Sequence, residues 1–245
     1  MFFFERIYYF SHGLCTMFFL MASFRLLRRY YSSRLHRVLG FVIAFWALLE
    51  LKDLLLYLSD VLRGSYWANL LMMIDMTAVP ACSYYLLELL SPGWLNAKRI
   101  LSLGSLFVVL VAGYALTGSD GWLYAMYTYS VLYAITIVAV LVIASHRYNA
   151  YLADNYSNTE RLNVDWLRWA TLLLAVCLTG WLCSCLYSSW ISDSLYYLSS
   201  LLLWGTIYYY GEEQQVPAAV ETSEPEIPNF PPPEKFRTTA SRSIS

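Results

Sequence analysis

Seven long apolar stretches, divided only by short polar breaks, fill the chain before Gly211 and constrain its fold more than any other feature. A helix needs roughly 20 apolar residues to cross a hydrocarbon core about 30 Å thick. The stretches run approximately Phe3 to Phe24, His36 to Leu58, Trp67 to Leu90, Ile100 to Thr117, Trp122 to Ser145, Trp166 to Tyr187 and Ser192 to Tyr210. Within hydrocarbon every backbone N–H and C=O must be satisfied internally, so such stretches become helices. The expected fold is all-α: a polytopic membrane bundle of seven transmembrane helices over residues 1–211, followed by a Pro/Glu-rich tail over 212–245. Of the 245 residues, 59% are hydrophobic and only 13% charged, which leaves little for anything else. The largest polar pieces are Arg147 to Asp165 and Glu212 to Ser245. Each falls short of the roughly 40 residues a domain needs to fold unaided. No soluble catalytic, nucleotide-binding or nucleic-acid-binding domain fits here, so neither enzymatic activity nor direct nucleic-acid binding by this chain is expected.

Orientation follows from the sixteen Lys and Arg residues, because positively charged loops stay cytoplasmic. Arg25, Arg28, Arg29, Arg34 and Arg37 share a side with Lys98, Arg99, Arg147, Arg161, Arg168, Lys235, Arg237 and Arg242. The opposite side holds only Arg6 and Arg63, while Lys52 lies inside a span. The N-terminus is therefore expected outside and the C-terminus in the cytoplasm. Met1 to Phe4 carries no positive charge, and the first apolar run ends in arginines rather than at a small-residue cleavage site; it reads as a retained helix, not a signal peptide. Trp67, Trp122 and Trp190 fall at outer ends and Trp94, Trp166 and Trp169 at inner ends, where amphipathic rings prefer the headgroups.

The tail changes character abruptly: six of the eight prolines follow Gly211, among them Pro231-Pro232-Pro233, together with Glu212, Glu213, Glu221, Glu224 and Glu226. Few large apolar residues are left to offset the entropy of ordering, and a disordered spacer is expected. The five cysteines, Cys15, Cys82, Cys177, Cys183 and Cys185, have neither metal nor redox spacing, and in apolar stretches they act as small hydrophobes.

Ionisable groups inside a span cost about 2.5–3.5 kcal/mol each near the bilayer centre and point to function. The first three spans supply nearly all of them: His12, Glu50, Lys52, Asp53 and Asp75. His12, Glu50 and Asp75 each lie nine or ten residues from an outer end, or roughly 14 Å deep at 1.5 Å per residue. Glu50, Asp53 and Tyr57 fall at i, i+3, i+7 on one stripe, with Lys52 on another face. One reading is an outward-opening polar pocket in which His12, Glu50, Asp53 and Asp75 bind a cationic or polar ligand or pass a proton. The other is a buried hydrogen-bond network that holds three helices together, with Lys52 pairing an acid or snorkelling outwards. Pro80, five residues after Asp75 and beside Met72, Met73 and Met76, is a candidate hinge. Tyr129, Tyr133 and Thr136 share a helix face and either line a cavity with hydroxyls or simply pack.

Several membrane chemistries lack their residues. Three histidines, His12, His36 and His146, cannot build a desaturase-like cluster, and only His12 is deep in a span, so neither a metal nor a haem cofactor is expected. No HExxH or GxSxG pattern occurs. The last helix has no lysine for retinal and no Asn-Pro-x-x-Tyr, and Glu88-Leu89-Leu90-Ser91 replaces the acidic-Arg-Tyr triplet of G-protein-coupled receptors. Asn155-Tyr156-Ser157 matches a glycosylation sequon but falls in an expected cytoplasmic loop.

That loop reads Ser145-His146-Arg147-Tyr148-Asn149-Ala150-Tyr151-Leu152-Ala153-Asp154-Asn155-Tyr156-Ser157-Asn158-Thr159-Glu160, and Asp165-Trp166-Leu167-Arg168-Trp169 opens the next helix. It resembles the membrane half of Bacteroidetes AraC-type helix-turn-helix transcriptional regulators, in which a Tyr-rich "DNYS" loop precedes a Trp-rich helix. The resemblance covers the helical region to about Tyr210. It implies a bacterial inner-membrane signalling module, the sensing and anchoring half of a membrane-tethered regulator, without the DNA-binding output domain in the residues to Ser245. Signal would arrive from outside or from within the bilayer and leave through the last two helices. Asp154, Glu160 and Arg161 would then form a cytoplasmic contact surface for a regulator or a second copy of the chain, unless the loop is only a solvated connector. The alternative is a small transporter or channel subunit using the acidic pocket, although no repeat relates the first three helices to the last three. A third is a helper subunit packing through Gly180 and Ser184.

Overall fold

The computed structural model describes residues 2–28, 33–57, 65–155, 164–186 and 189–213, all within one compact unit, Met1–Gln215. Everything described is helix or short connection, without a strand. Eight helices follow in order: α1 (Phe2–Arg28), α2 (Arg34–Tyr57), α3 (Ser65–Asp75), α4 (Ala78–Leu90), α5 (Ala97–Thr117), α6 (Asp120–Asn155), α7 (Trp166–Leu186) and α8 (Trp190–Glu213). Among the described residues, four helical runs are long and apolar enough to cross a membrane: Phe3–Arg28, Tyr66–Leu90, Ala97–Thr117 and Asp120–Asp154. Arg29, Arg63, Glu160, Arg161 and the tail beyond Glu213 lie outside the described residues, as do the side chains of Tyr57, Cys183, Ser184 and Cys185.

The third apolar stretch is two helices rather than one, broken at Met76–Thr77. Pro80 explains the position. Its ring nitrogen cannot donate to the Met76 carbonyl four residues back, so the Val79 N–H takes that oxygen at 3.1 Å, and the Thr77 N–H and hydroxyl both turn to the Ile74 carbonyl, at 3.0 and 2.6 Å. The discontinuity thus falls a turn before Pro80, directly after Asp75.

Helix α6 also departs from expectation. The polar segment after Ser145 continues as helix to Asn155, making α6 36 residues long. Leu152 buries its side chain. Asn149 donates to the Asp165 carboxylate at 2.7 Å and accepts from the Val164 N–H at 3.2 Å, which draws the start of α7 against the end of α6. The shorter connections are set by local chemistry. Asn96 caps α5 by accepting from the Arg99 N–H at 2.9 Å, and Gly118 ends it in the left-handed region at φ 64°, where a side chain would be strained.

Helix α1 packs between α2 and α8, α7 packs on α8, α4 on α2, and α5 on α6. One end of the bundle is closed by rings: Tyr8 lies 5.1 Å from Trp190 and 5.8 Å from Tyr197. On the other flank Tyr66 stacks on Tyr114 at 5.5 Å and donates to the Ala115 carbonyl. The opposite end is polar, with Arg25 against Glu212 and Arg34 against Glu88. The outward faces are apolar. Only 17% and 22% of the most apolar windows of α5 and α6 are buried, leaving Leu101, Val108, Val109, Leu132, Ile135 and Ile143 uncovered. A chain in water would not leave so much apolar surface open; these faces are consistent with a membrane protein.

Candidate functional site

The ionisable residues of the first three spans come together as two groups. In the first, His12 on α1 meets Glu50 on α2. The His12 ring stacks on Tyr197 of α8 at 4.6 Å, nearly parallel, and its Nε2 donates to the Glu50 carbonyl at 3.4 Å. The same nitrogen lies 3.3 Å from Glu50 Oε2. That oxygen is buried against the imidazole. The imidazole nitrogen thus faces both the backbone carbonyl and the side-chain carboxyl of Glu50.

In the second group Lys52 hydrogen-bonds Asp53 and reaches across to Asp75 on α3, 3.0 and 3.1 Å from its two oxygens. Of the two alternatives for Lys52, an acid partner or an outward path, the geometry shows the first: it is held by two acids. A lysine at this depth is tolerable because its charge is shared between two carboxylates at contact distance. Asp53 therefore sits with Lys52 and Asp75, whereas Glu50, on the same stripe of α2, sits with His12.

Carboxyl residues of both groups border a cavity of about 320 Å³, within the usual range of small-molecule sites. Its wall is built by α1, α2, α3, α4, α6, α7 and α8. Glu50, Asp53 and Asp75 border it, and so does Asp193 on α8, which the sequence reading missed. Asp193 lies three and four residues before Tyr196 and Tyr197, so all share one helix face; that spacing was the signal available. Neither lysine, arginine nor histidine is among the residues lining the cavity. The rest of the wall is aromatic and apolar, from Tyr8, Trp46, Trp181 and Tyr197 to Met72, Met76 and Leu86. No group of three or more metal-ligating side chains occurs among the described residues.

Other expectations resolve differently. Tyr133 lines the cavity and its hydroxyl lies 2.8 Å from that of Ser83. Tyr129 instead packs on Phe107, 4.9 Å away, and Thr136 is turned back onto the Leu132 carbonyl, so the three do not form one hydroxyl-lined face. Gly180 faces α8: a Cβ on it would lie at van der Waals distance from Ser199 and Tyr196, which places this small residue at a contact inside the chain. Pro80 lies one turn beyond the helix break, in the cavity-lining part of α4. Asp154 is exposed at the far end of α6.

A buried carboxylate that the sequence reading passed over is structural. Glu88 is 1% exposed, accepts from the Gly93 N–H at 2.9 Å and the Leu95 N–H at 2.7 Å, and pairs with Arg34 Nε at 2.7 Å. It ties the turn after α4 to the start of α2, with both of its oxygens engaged in that structure. Compared with known proteins, the chain matches no family model, no curated protein and no solved structure.

Proposed function

We propose that this chain is a multi-pass membrane protein whose central cavity receives a small molecule and whose last helix carries the consequence of binding to the cytoplasmic end. In this reading α3 and α4 together make one crossing, so that the helices cross the bilayer seven times, with the N-terminus outside and the arginine-rich end in the cytoplasm. The observation that carries it is the placement of α8. Asp193, Tyr196, Tyr197 and Leu203 line the cavity, and at the other end of the same helix Glu212 pairs with Arg25 while its carbonyl meets His36 Nε2 at 3.3 Å. A rigid helix that touches both the cavity and its opposite end, next to the Pro/Glu-rich tail, suits the sensing and anchoring half of a membrane-tethered transcriptional regulator in a bacterial inner membrane. Its partners would be the lipid bilayer and a cytoplasmic regulator or a second copy of the chain, the exposed Asp154 region of α6 being the contact surface.

A second reading is a small transporter or channel subunit. The helix break at Met76–Thr77 beside Asp75 favours it, since transporters build sites from interrupted helices near mid-membrane. One experiment separates the two. A metabolite set is screened against the chain in lipid nanodiscs and against Ala78→Phe, which fills the cavity from α4, and the compounds found are then tested for flux in proteoliposomes. Compounds that stabilise the native chain but not Ala78→Phe, without flux, are the expected result. Flux lost in Asp75→Asn would turn the assignment to transport. No compound that discriminates the two proteins would remove the ligand site itself.

A further inference from the structure

From the wall of this cavity we infer that its ligand is a neutral, single-chain amphiphile: a slender apolar body with one uncharged, hydroxyl-type head, held head toward the Tyr8 and Trp190 end of the bundle. The inference rests on the cavity being a ligand site and specifies what enters it and in which orientation.

The lining is polarised along the bundle. Contacts fix the direction of each helix: α1 and α8 meet through Tyr8 and Trp190 at one end and through Arg25 and Glu212 at the other. Trp166 at the start of α7 stacks on Tyr210 near the end of α8, and Arg34 at the start of α2 pairs with Glu88 near the end of α4. Followed in these directions, the lining acids Asp53, Asp75 and Asp193 stand toward the Tyr8 and Trp190 end, while Leu86, Leu174 and Leu203 stand toward the arginine end. On α8 alone the lining runs from Asp193 to Leu203, a span of about 15 Å at 1.5 Å per residue. A volume of about 320 Å³ drawn out over that length has room for about ten groups of water or methylene size. That suits one chain and excludes a two-chain lipid.

Charge on the wall is settled within the protein. Lys52 holds Asp53 and Asp75, His12 lies against Glu50, and Asp193 is engaged in a contact of its own. An ionised ligand would give up its hydration and find every counter-charge already taken. A neutral head meets no such obstacle. Asp53 keeps 34% of its side chain accessible, and an ion-paired carboxylate still has lone pairs for a further donor, so a hydroxyl can donate there without displacing Lys52. Farther along, the polar groups face one another: the Ser83 and Tyr133 hydroxyls lie 2.8 Å apart. Leu86, Ile137, Leu174 and Leu203 are left to meet the body of the ligand, where a second polar group would be buried without a partner.

The test uses the full chain in lipid nanodiscs and two photoreactive decanols, one with an aliphatic diazirine beside the hydroxyl and one with it at the far end of the chain. Crosslinked peptides are mapped by mass spectrometry. The first probe is expected to label residues around Asp75 and Asp193, the second those around Leu86 and Leu203. An excess of plain decanol of about tenfold should lower both labels by about tenfold, and decane, without the head, should compete about two- to tenfold less well. Decyl sulfate and decyltrimethylammonium, below their micellar concentrations, should leave the labels unchanged. A bilayer lipid and a diffusible molecule share this chemistry; a neutral single-chain lipid extracted from the purified chain in one-to-one amount identifies the first source, and labelling of a chain that yields no such lipid identifies the second. Competition by either charged analogue equal to that of decanol, or one set of residues labelled by both probes, would overturn this assignment while leaving the cavity a ligand site. Ala78→Phe and Ala134→Phe fill the cavity from α4 and from α6, so that where one fails to fold the other decides. Labelling that neither saturates in the native chain nor falls in a folded variant removes the ligand site and this assignment together.

Discussion

Arg25 of α1 lies 3.1 Å from Glu212 of α8, joining the first helix to the last at the end remote from the cavity. Arg25 keeps 57% of its side chain exposed, so the pair is screened and holds the ends together loosely. Arg25→Ala should change stability by less than about 1 kcal/mol. Thermal unfolding in detergent checks this, and a loss of several kcal/mol would mean that the ends are locked rather than merely in register.

Glu88 should behave in the opposite way. Replacing it with alanine strands the Gly93 and Leu95 N–H groups and removes the partner of Arg34. We expect a loss of about 2–4 kcal/mol, with Glu88→Gln recovering part of it through its one carbonyl oxygen. Unfolding of both variants decides the matter; equal stability of wild type and Glu88→Ala is the result that contradicts the role.

Lys52 sits between two acids, and removing it alone leaves like charges facing each other. Lys52→Met should therefore cost about 2–4 kcal/mol. Adding Asp75→Asn should return about 1 kcal/mol or more, because neighbouring substitutions in one ion group are not additive. A double mutant worse than the sum of the singles would show that Asp75 is held by something other than Lys52.

Two helix glycines should respond with opposite signs. A Cβ on Gly113 would come within 2.6 Å of the Trp122 ring, whereas one on Gly13 meets nothing within 4 Å. Gly113→Ala is expected to destabilise by about 1–3 kcal/mol, and Gly13→Ala to stabilise by up to about 1 kcal/mol through helix propensity. Melting temperatures of the pair, measured side by side, test the packing of α5 on α6.

The proposed orientation is open to direct labelling. The described cysteines Cys15, Cys82 and Cys177 are buried, so a new surface thiol stands out against them. In intact cells a membrane-impermeant maleimide should react with Ser119→Cys, between α5 and α6, and not with Lys98→Cys at the start of α5. The reverse pattern would invert the topology.

How much of this was legible in the sequence depended on the kind of force involved. Apart from the break at Met76–Thr77 and the far end of α6, apolar length placed the described helical runs within a few residues, because hydrocarbon-length stretches leave the backbone no alternative to helix. The continuation of α6 to Asn155 was not legible. Tyr148, Asn149 and Tyr151 look like loop chemistry, and only the tertiary bridge from Asn149 to Asp165 and Val164 reveals what they do. Depth counting brought His12, Glu50 and Asp75 to one level, but their division into two groups depends on rotamers and on Tyr197 from α8. Glu88 escaped notice because its partners are backbone N–H groups, which leave no trace in residue identity.

The length of α6 carries a consequence for any partner of this chain. At 36 residues the helix is about 54 Å long, well beyond the 40–45 Å of a whole bilayer with its headgroups (about, by the usual dimensions). Standing upright, its end would rise clear of the lipid like a mast, carrying Asp154 at its tip. A protein meeting that tip need not touch the membrane, and a few residues of tilt or lift in α6 would be felt there as a change of height.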